Sequence, residues 1–248
     1  MDTRLDFQGF SAYNAGNSYF IFAYLLAIQQ IGKEAQGQRM YTIALLSQKG
    51  GTGKTTLALH LAVAADMDGK NAVVIDLDPQ ASSAAWKDSR PGETPVVVPV
   101  PATRLLPTLT AARTGGAKLA LIDTAPHSGD VAITAAEAAD LILIPCRAGI
   151  LDLRAIGTTA RIVKLAGKTA YVVLNALPPR ASTIVEDARA AVAVHGLEVA
   201  PIALRQRVAY AHALTAGQTA QEYEPQGQAA EEIAALYHWI RQTLKTIA

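Results

Sequence analysis

Residues 47–56 read Ser-Gln-Lys-Gly-Gly-Thr-Gly-Lys-Thr-Thr. Gly50, Gly51 and Gly53 cluster here and are followed at once by Lys54 and Thr55. Without Cβ atoms, the backbone N–H groups of such a loop can converge on one point. A polyphosphate needs such a convergence, with an ammonium to reach its β and γ groups and a hydroxyl for Mg²⁺. Lys54 and Thr55 supply these, and Thr52 and Thr56 complete the turn. The common pattern of phosphate loops, Gly-x-x-x-x-Gly-Lys-Ser/Thr, demands glycine at position 48. Gln48 stands there instead, with a second lysine, Lys49, beside it.

Carboxylates appear at two further strand ends. "VVIDLDPQAS" carries Asp76 at the end of an apolar run, expected to be the strand beside the phosphate loop, and Asp78 two residues on, in a turn set by Pro79. "LALIDTAP" ends another run with Asp123. An aspartate there suits Mg²⁺ held through a water. Asp76 and Asp78 also read as simple strand-end caps. "YVVLNAL" ends on Asn175, whose amide offers both a donor and an acceptor, though a turn asparagine would look the same. Late in the chain, Arg205 and Arg207 flank Gln206. They read either as contacts to nucleic-acid phosphates or as ordinary solvated charges or salt bridges. Arg161, Lys164, Arg180 and Arg189 are weaker candidates for the same face.

The elements that must hold these groups follow a rhythm. Short runs rich in Val, Ile and Leu recur: "YTIALLS", "AVVIDL", "PVVVPV", "KLALIDT", "DLILIPC", "TAYVVLN" and "LEVAPI". Near-continuous apolar strands are buried on both faces, as in parallel sheets. Ala-rich helical stretches lie between them, at 54–68, 152–166 and 183–195. The expected fold is α/β: a doubly wound, mostly parallel sheet with helices on both faces. Pro91, Pro95, Pro99, Pro101 and Pro107 surround one strand and confine it to an edge, where the segment is a stiff connection or a self-association surface. In the last stretch Ile233, Leu236, Tyr237, Ile240, Leu244 and Ile247 share a helix face, which should pack on the body.

Bulk properties bound the rest. The 248 residues carry a net charge of +1, so any nucleic-acid contact must be a local patch. A single cysteine, Cys146, rules out an internal disulfide or an all-cysteine cluster within one chain and suits a reducing cytosol. Residues 1–39 differ from the remainder, and Met40 opens the first strand. We expect one domain over 40–248, and over 1–39 either an appended leader or a short helix that docks on the body. The apolar run Tyr19 to Ile28 is too short to span a bilayer, and Asp2 and Asp6 before it spoil a secretory signal.

The string Lys-Gly-Gly-x-Gly-Lys-Ser/Thr-Thr resembles the deviant phosphate loop of the ParA/MinD family of ATPases, and the likeness runs from Met40 to the C-terminus. The resemblance implies a P-loop NTPase with ATP and Mg²⁺ as cofactors. It implies that Lys49 reaches across a dimer interface to the partner's ATP. Asp78 would orient the attacking water, Asp76 would support the loop and the metal shell, and Thr55 and Asp123 would serve the metal. Asn175 would read adenine, with backbone groups at Pro201 and Ile202 completing the base pocket. The small plasmid-type members suggest an ATP-state homodimer in the cytoplasm and on the nucleoid, binding DNA non-specifically through Arg205 and Arg207. A ParB-like centromere-binding adaptor would stimulate it, with DNA as cargo and no membrane. The alternative is a MinD-like ATPase positioning a protein cluster or a membrane-associated cargo.

Overall fold

The computed structural model describes residues 39–126 and 128–247. The expected leader or docking helix lies, but for Arg39, outside the described residues. Among the described residues seven strands form one sheet: β1 (Tyr41–Leu45), β2 (Ala72–Asp76), β3 (Val96–Pro99), β4 (Leu119–Asp123), β5 (Leu141–Arg147), β6 (Ala170–Asn175) and β7 (Glu198–Val199). Their order is β3-β2-β4-β1-β5-β6-β7, and every pairing is parallel. Each apolar run anticipated as a strand forms one, and the proline-flanked β3 lies at an edge, where its missing donors cost nothing.

Period-two alternation splits the core in two. Ile43 and Leu45 of β1 face one cluster, with Leu119 and Leu121 of β4. Ala44 and Leu46 face the other, with Ala120 and Ile122. The first face is covered by α1 (Lys54–Met67), α2 (Ser82–Ser89) and the last helix, α9 (Gln228–Thr246). On the second lie α3 (Leu105–Thr114), α4 (Gly129–Ala138), α5 (Ile150–Ala166) and α6 (Ser182–Ala193). Two short helices, α7 (Val208–Thr215) and α8 (Ala220–Tyr223), precede α9. Residues Leu57 to Ala65 of α1 are all buried. A helix apolar all round belongs inside, and α1 is accordingly fixed behind the phosphate loop.

The expected seam of α9 is in place. Ile233, Leu236, Tyr237, Ile240 and Leu244 are buried. Arg241 pairs with Asp68 at 2.8 Å, and the Tyr237 hydroxyl donates to the same carboxylate at 3.1 Å. Among the described residues, no helix is long and apolar enough to cross a membrane. Parallel pairing puts all strand C-termini on one rim, and the loops after β1, β2, β4, β5 and β6 meet there.

Candidate nucleotide-binding site

The loop from Ser47 to Gly53 links β1 to α1. Gly51 and Gly53 have positive φ, 71° and 97°. Gly53 is doubly constrained: a Cβ there would lie 2.3 Å from Nδ2 of Asn175. No side chain caps α1. Its first-turn N–H groups, which have no intrahelical acceptor, thus stay available to an anion. Lys54 is buried and folds back over the loop, donating to the carbonyls of Ser47 (3.2 Å) and Lys49 (3.4 Å). Burial lowers its pKa, opposed by the charges of Asp123 and Asp78.

Strand register places the carboxylates. Asp123 of β4 lies beside Leu45 of β1 and opposite Asp76 of β2. The sequence suggested that Asp76 ends the strand next to the phosphate loop. Instead β4 intervenes, so Asp123 is the one adjacent. Its Oδ2 accepts from the Thr55 hydroxyl at 2.7 Å and the Ser83 hydroxyl at 3.0 Å. Its Oδ1 is buried without a hydrogen-bond partner. Burial, with Asp76 nearby, raises its pKa to about 6. A buried carboxylate with one open oxygen, next to a hydroxyl and a cradle of N–H groups, fits a hydrated Mg²⁺ brought by a nucleotide. Among the described residues no set of three His, Cys, Asp or Glu side chains could hold a metal alone. Mg²⁺ takes one or two protein ligands and the rest from phosphate and water.

Asp76 shapes the turn after β2. Its two oxygens accept from the amides of Asp78 (2.9 Å) and Ser83 (3.0 Å). Desolvation raises its pKa. Asp78 is half-buried and accepts the Gln80 amide at 2.9 Å. Lys49 is separated from this group. Its ammonium pairs with Asp152 in the first turn of α5, at 2.6 Å, and its side chain is 40% exposed. Thr52 is buried beneath the loop, Gly50 is exposed on its lip, and Thr56 lines the cavity described next.

That cavity, of about 290 Å³, opens beside the loop. Gly51, Gly53 and Thr56 line one side; Arg147, Asn175, Arg205 and Tyr210 contribute to the other. Asn175 is at its wall, but its amide is already engaged. Nδ2 donates to the Thr52 carbonyl at 2.8 Å and Oδ1 accepts the Ala176 amide at 2.8 Å. Here it braces the loop. Pro201 and Ile202 do not line the cavity. After β7 the chain keeps running along β6, with Ala200 N bonded to Val172 O and Leu204 N to Leu174 O, both at 2.8 Å. It reaches the rim only at Leu204, so the wall is Leu204 to Arg207 and Tyr210.

Arg205 and Arg207 belong to this wall and are engaged there. The Arg205 guanidinium donates to the carbonyls of Pro178 (2.9 Å) and Pro179 (2.6 Å). Arg207 grips Glu232 through Nε (3.0 Å) and Nη2 (2.6 Å). Neither is the free solvated cation that a DNA contact would favour. Arg161, Lys164, Arg180 and Arg189 are exposed. Sequence reasoning missed Asp152, Ser83, Arg147, Tyr210 and Glu232. For Asp152 a signal existed, an acid in the first turn of a helix. The others meet the site only through the fold.

Loop, helix start and rim together define a P-loop nucleotide-binding protein. Residues 43–220 match the CobQ/CobB/MinD/ParA nucleotide binding domain. The chain belongs to this family, whose ATP and Mg²⁺ the residues above fit. The chain is 29% identical over 205 residues to the maintenance of carboxysome distribution protein A of Gloeobacter kilaueensis, covering 82% of this chain and 93% of that protein. It is 31% identical over 206 residues to the protein of the same name from Halothiobacillus neapolitanus, covering 79% and 94%. The apo McdA structure from Cyanothece superposes with a TM-score of 0.66 at 17% identity, over 82% of this chain and all of that one.

Proposed function

We propose that this protein is a Mg²⁺-dependent ATPase that dimerises on ATP and positions a protein assembly. The observation that carries the reading is the split between the two lysines. Lys54 lies inside the cradle, where it serves its own nucleotide. Lys49 lies on the outer lip, held by Asp152 and part-exposed, where a second copy could meet it. A cation arriving from the partner would stabilise the charge of the transferring phosphoryl group, so hydrolysis would follow association. Asp78 would orient the attacking water, and Asp123 would hold the metal through its open oxygen. We place the domain boundary at Met40, whose side chain is buried.

A protein cargo is favoured by the two carboxysome-distribution relatives, matched along nearly their whole length. Plasmid partition through DNA bound at Arg205 and Arg207, with a ParB-like adaptor, has less support, since both side chains are engaged in the cavity wall. The test is imaging of the native cell carrying Lys54→Ala. We expect one protein assembly to lose its even spacing while replicons are inherited normally. Loss of a plasmid or chromosome with every assembly in place would instead make DNA the cargo.

A further inference from the structure

His60, on α1, takes no part in the phosphate chemistry and is completely buried. Two backbone groups of opposite sense hold its ring. The Ala220 amide can only donate, so Nε2 accepts from it at 3.0 Å. The Thr56 carbonyl can only accept, so Nδ1, 2.7 Å away, carries the proton. The ring is therefore neutral and in one tautomer, and burial holds its pKa down at about 4. The His60 carbonyl takes a further bond, from Gln221 Nε2 at 2.9 Å.

Each arm leads to a different part of the site. Thr56 follows Thr55, the proposed Mg²⁺-side hydroxyl, and lines the cavity beside the loop, where a nucleotide held by that loop would put its nucleoside. Ala220 opens α8, whose Glu222 receives Arg90 through two bonds of 2.8 and 2.6 Å. Next to it the Trp86 indole donates to the Gln218 carbonyl at 3.2 Å. Trp86 and Arg90 mark the far end of α2, the helix whose Ser83 bonds Asp123. The rings of His60 and Tyr210 also meet edge to face, 5.2 Å between centroids. Tyr210 in turn bonds Glu232, the carboxylate that grips Arg207.

We propose that His60 is a positioning residue, the joint through which the state of the phosphate site reaches both the cavity wall at Tyr210 and the Trp86–Arg90 end of α2. The proposal rests on nucleotide binding at the loop. A nucleotide that shifts the first turn of α1 moves the Thr56 carbonyl. In a close-packed interior a ring tied at both nitrogens must follow, and Ala220 and Tyr210 with it. An apolar side chain of similar size would fill the space without fixing any direction.

The test uses a Trp239→Phe background, in which Trp86 is the remaining tryptophan of the two. MgATP is titrated by calorimetry and by Trp86 fluorescence in His60→Asn and His60→Gln. The shorter amide keeps a donor near Thr56, and the longer one keeps an acceptor near Ala220. Both should fold, checked by thermal melting, yet bind MgATP about tenfold more weakly and lose most of the Trp86 change, as the uncoupling of two linked sites requires. Tyr210→Phe, which keeps the ring contact and removes the hydroxyl's bonds to Glu232 and to the Ala229 carbonyl, should weaken binding a few-fold and leave the Trp86 change intact. Wild-type affinity and a full Trp86 change in either folded His60 variant would overturn the proposal, and so would a wild type that binds MgATP with no Trp86 change. If the His60 variants do not fold, a Tyr210→Phe protein indistinguishable from wild type in affinity overturns the cavity-wall arm and with it the joint. A wild type that does not bind MgATP at all would remove the nucleotide reading itself.

Discussion

The two ends of the nucleotide site are built in different ways. At the phosphate end the contacts are local or fixed by strand register. Lys54 bonds carbonyls seven and five residues back, and Asp123 is set opposite Asp76 by parallel pairing. At the nucleoside end the partners are remote: Asn175 braces Thr52 across 123 positions and Tyr210 reaches Glu232 on another helix. Backbone conformation makes the first end, and side-chain packing makes the second. Damage to the first should therefore be all-or-none, and damage to the second graded.

The largest effect is expected from Gly53→Ala. A left-handed φ costs a non-glycine residue roughly 1–2 kcal/mol. The added methyl also collides with Asn175 Nδ2. MgATP affinity measured by calorimetry should fall on the order of a hundredfold or more, about 3 kcal/mol. A mild loss there would dissolve the contrast between the two ends.

Asp78→Ala sharpens it within the phosphate end. The cradle and Asp123 are untouched, so MgATP affinity should stay within a few-fold of wild type. Turnover in a phosphate-release assay should fall by roughly 10²-fold, the usual scale for losing a group that handles the attacking water's proton. Equal losses of affinity and turnover would contradict the separate roles.

Acid should act through Asp123. Its pKa is raised to about 6, so below that value a proton occupies the carboxylate proposed to hold Mg²⁺. Affinity for MgATP should be flat above pH 6 and fall about tenfold per unit below it, as competition with a single proton requires. An Asp123→Asn protein should bind weakly and show no such slope.

At the nucleoside end, Asn175→Ala removes the brace on Thr52 and leaves that carbonyl without its donor. A lost hydrogen bond of this kind is worth about 1 kcal/mol, or roughly fivefold in MgATP affinity. A collapse as severe as that of Gly53→Ala would mean that the two ends are one structure.

The same division decided what could be read from the chain. All seven strands were legible, because parallel strands buried on both faces are written as unbroken apolar runs. The phosphate loop was legible because its glycines and lysines are contiguous. The wall of the cavity was not. Its position depends on how far the chain runs along β6 after β7, and no local pattern records that length. Pro201 and Ile202 therefore looked like pocket residues, though Leu204 is the first to arrive there. The sequence left open whether Arg205 and Arg207 are free or bridged, because Glu232, which faces Arg207, lies beyond α7 and α8. Asp152 escaped notice because its partner Lys49 lies about a hundred residues earlier, and only the β1–β5 pairing brings the two loops together.

We propose that ATP assembles two copies through Lys49. Light scattering on the purified protein with MgATP tests it most directly. Wild type should shift from monomer to dimer, while Lys49→Ala should bind MgATP, remain monomeric and hydrolyse it poorly. A Lys49→Ala protein that dimerises and turns over like wild type would contradict the account.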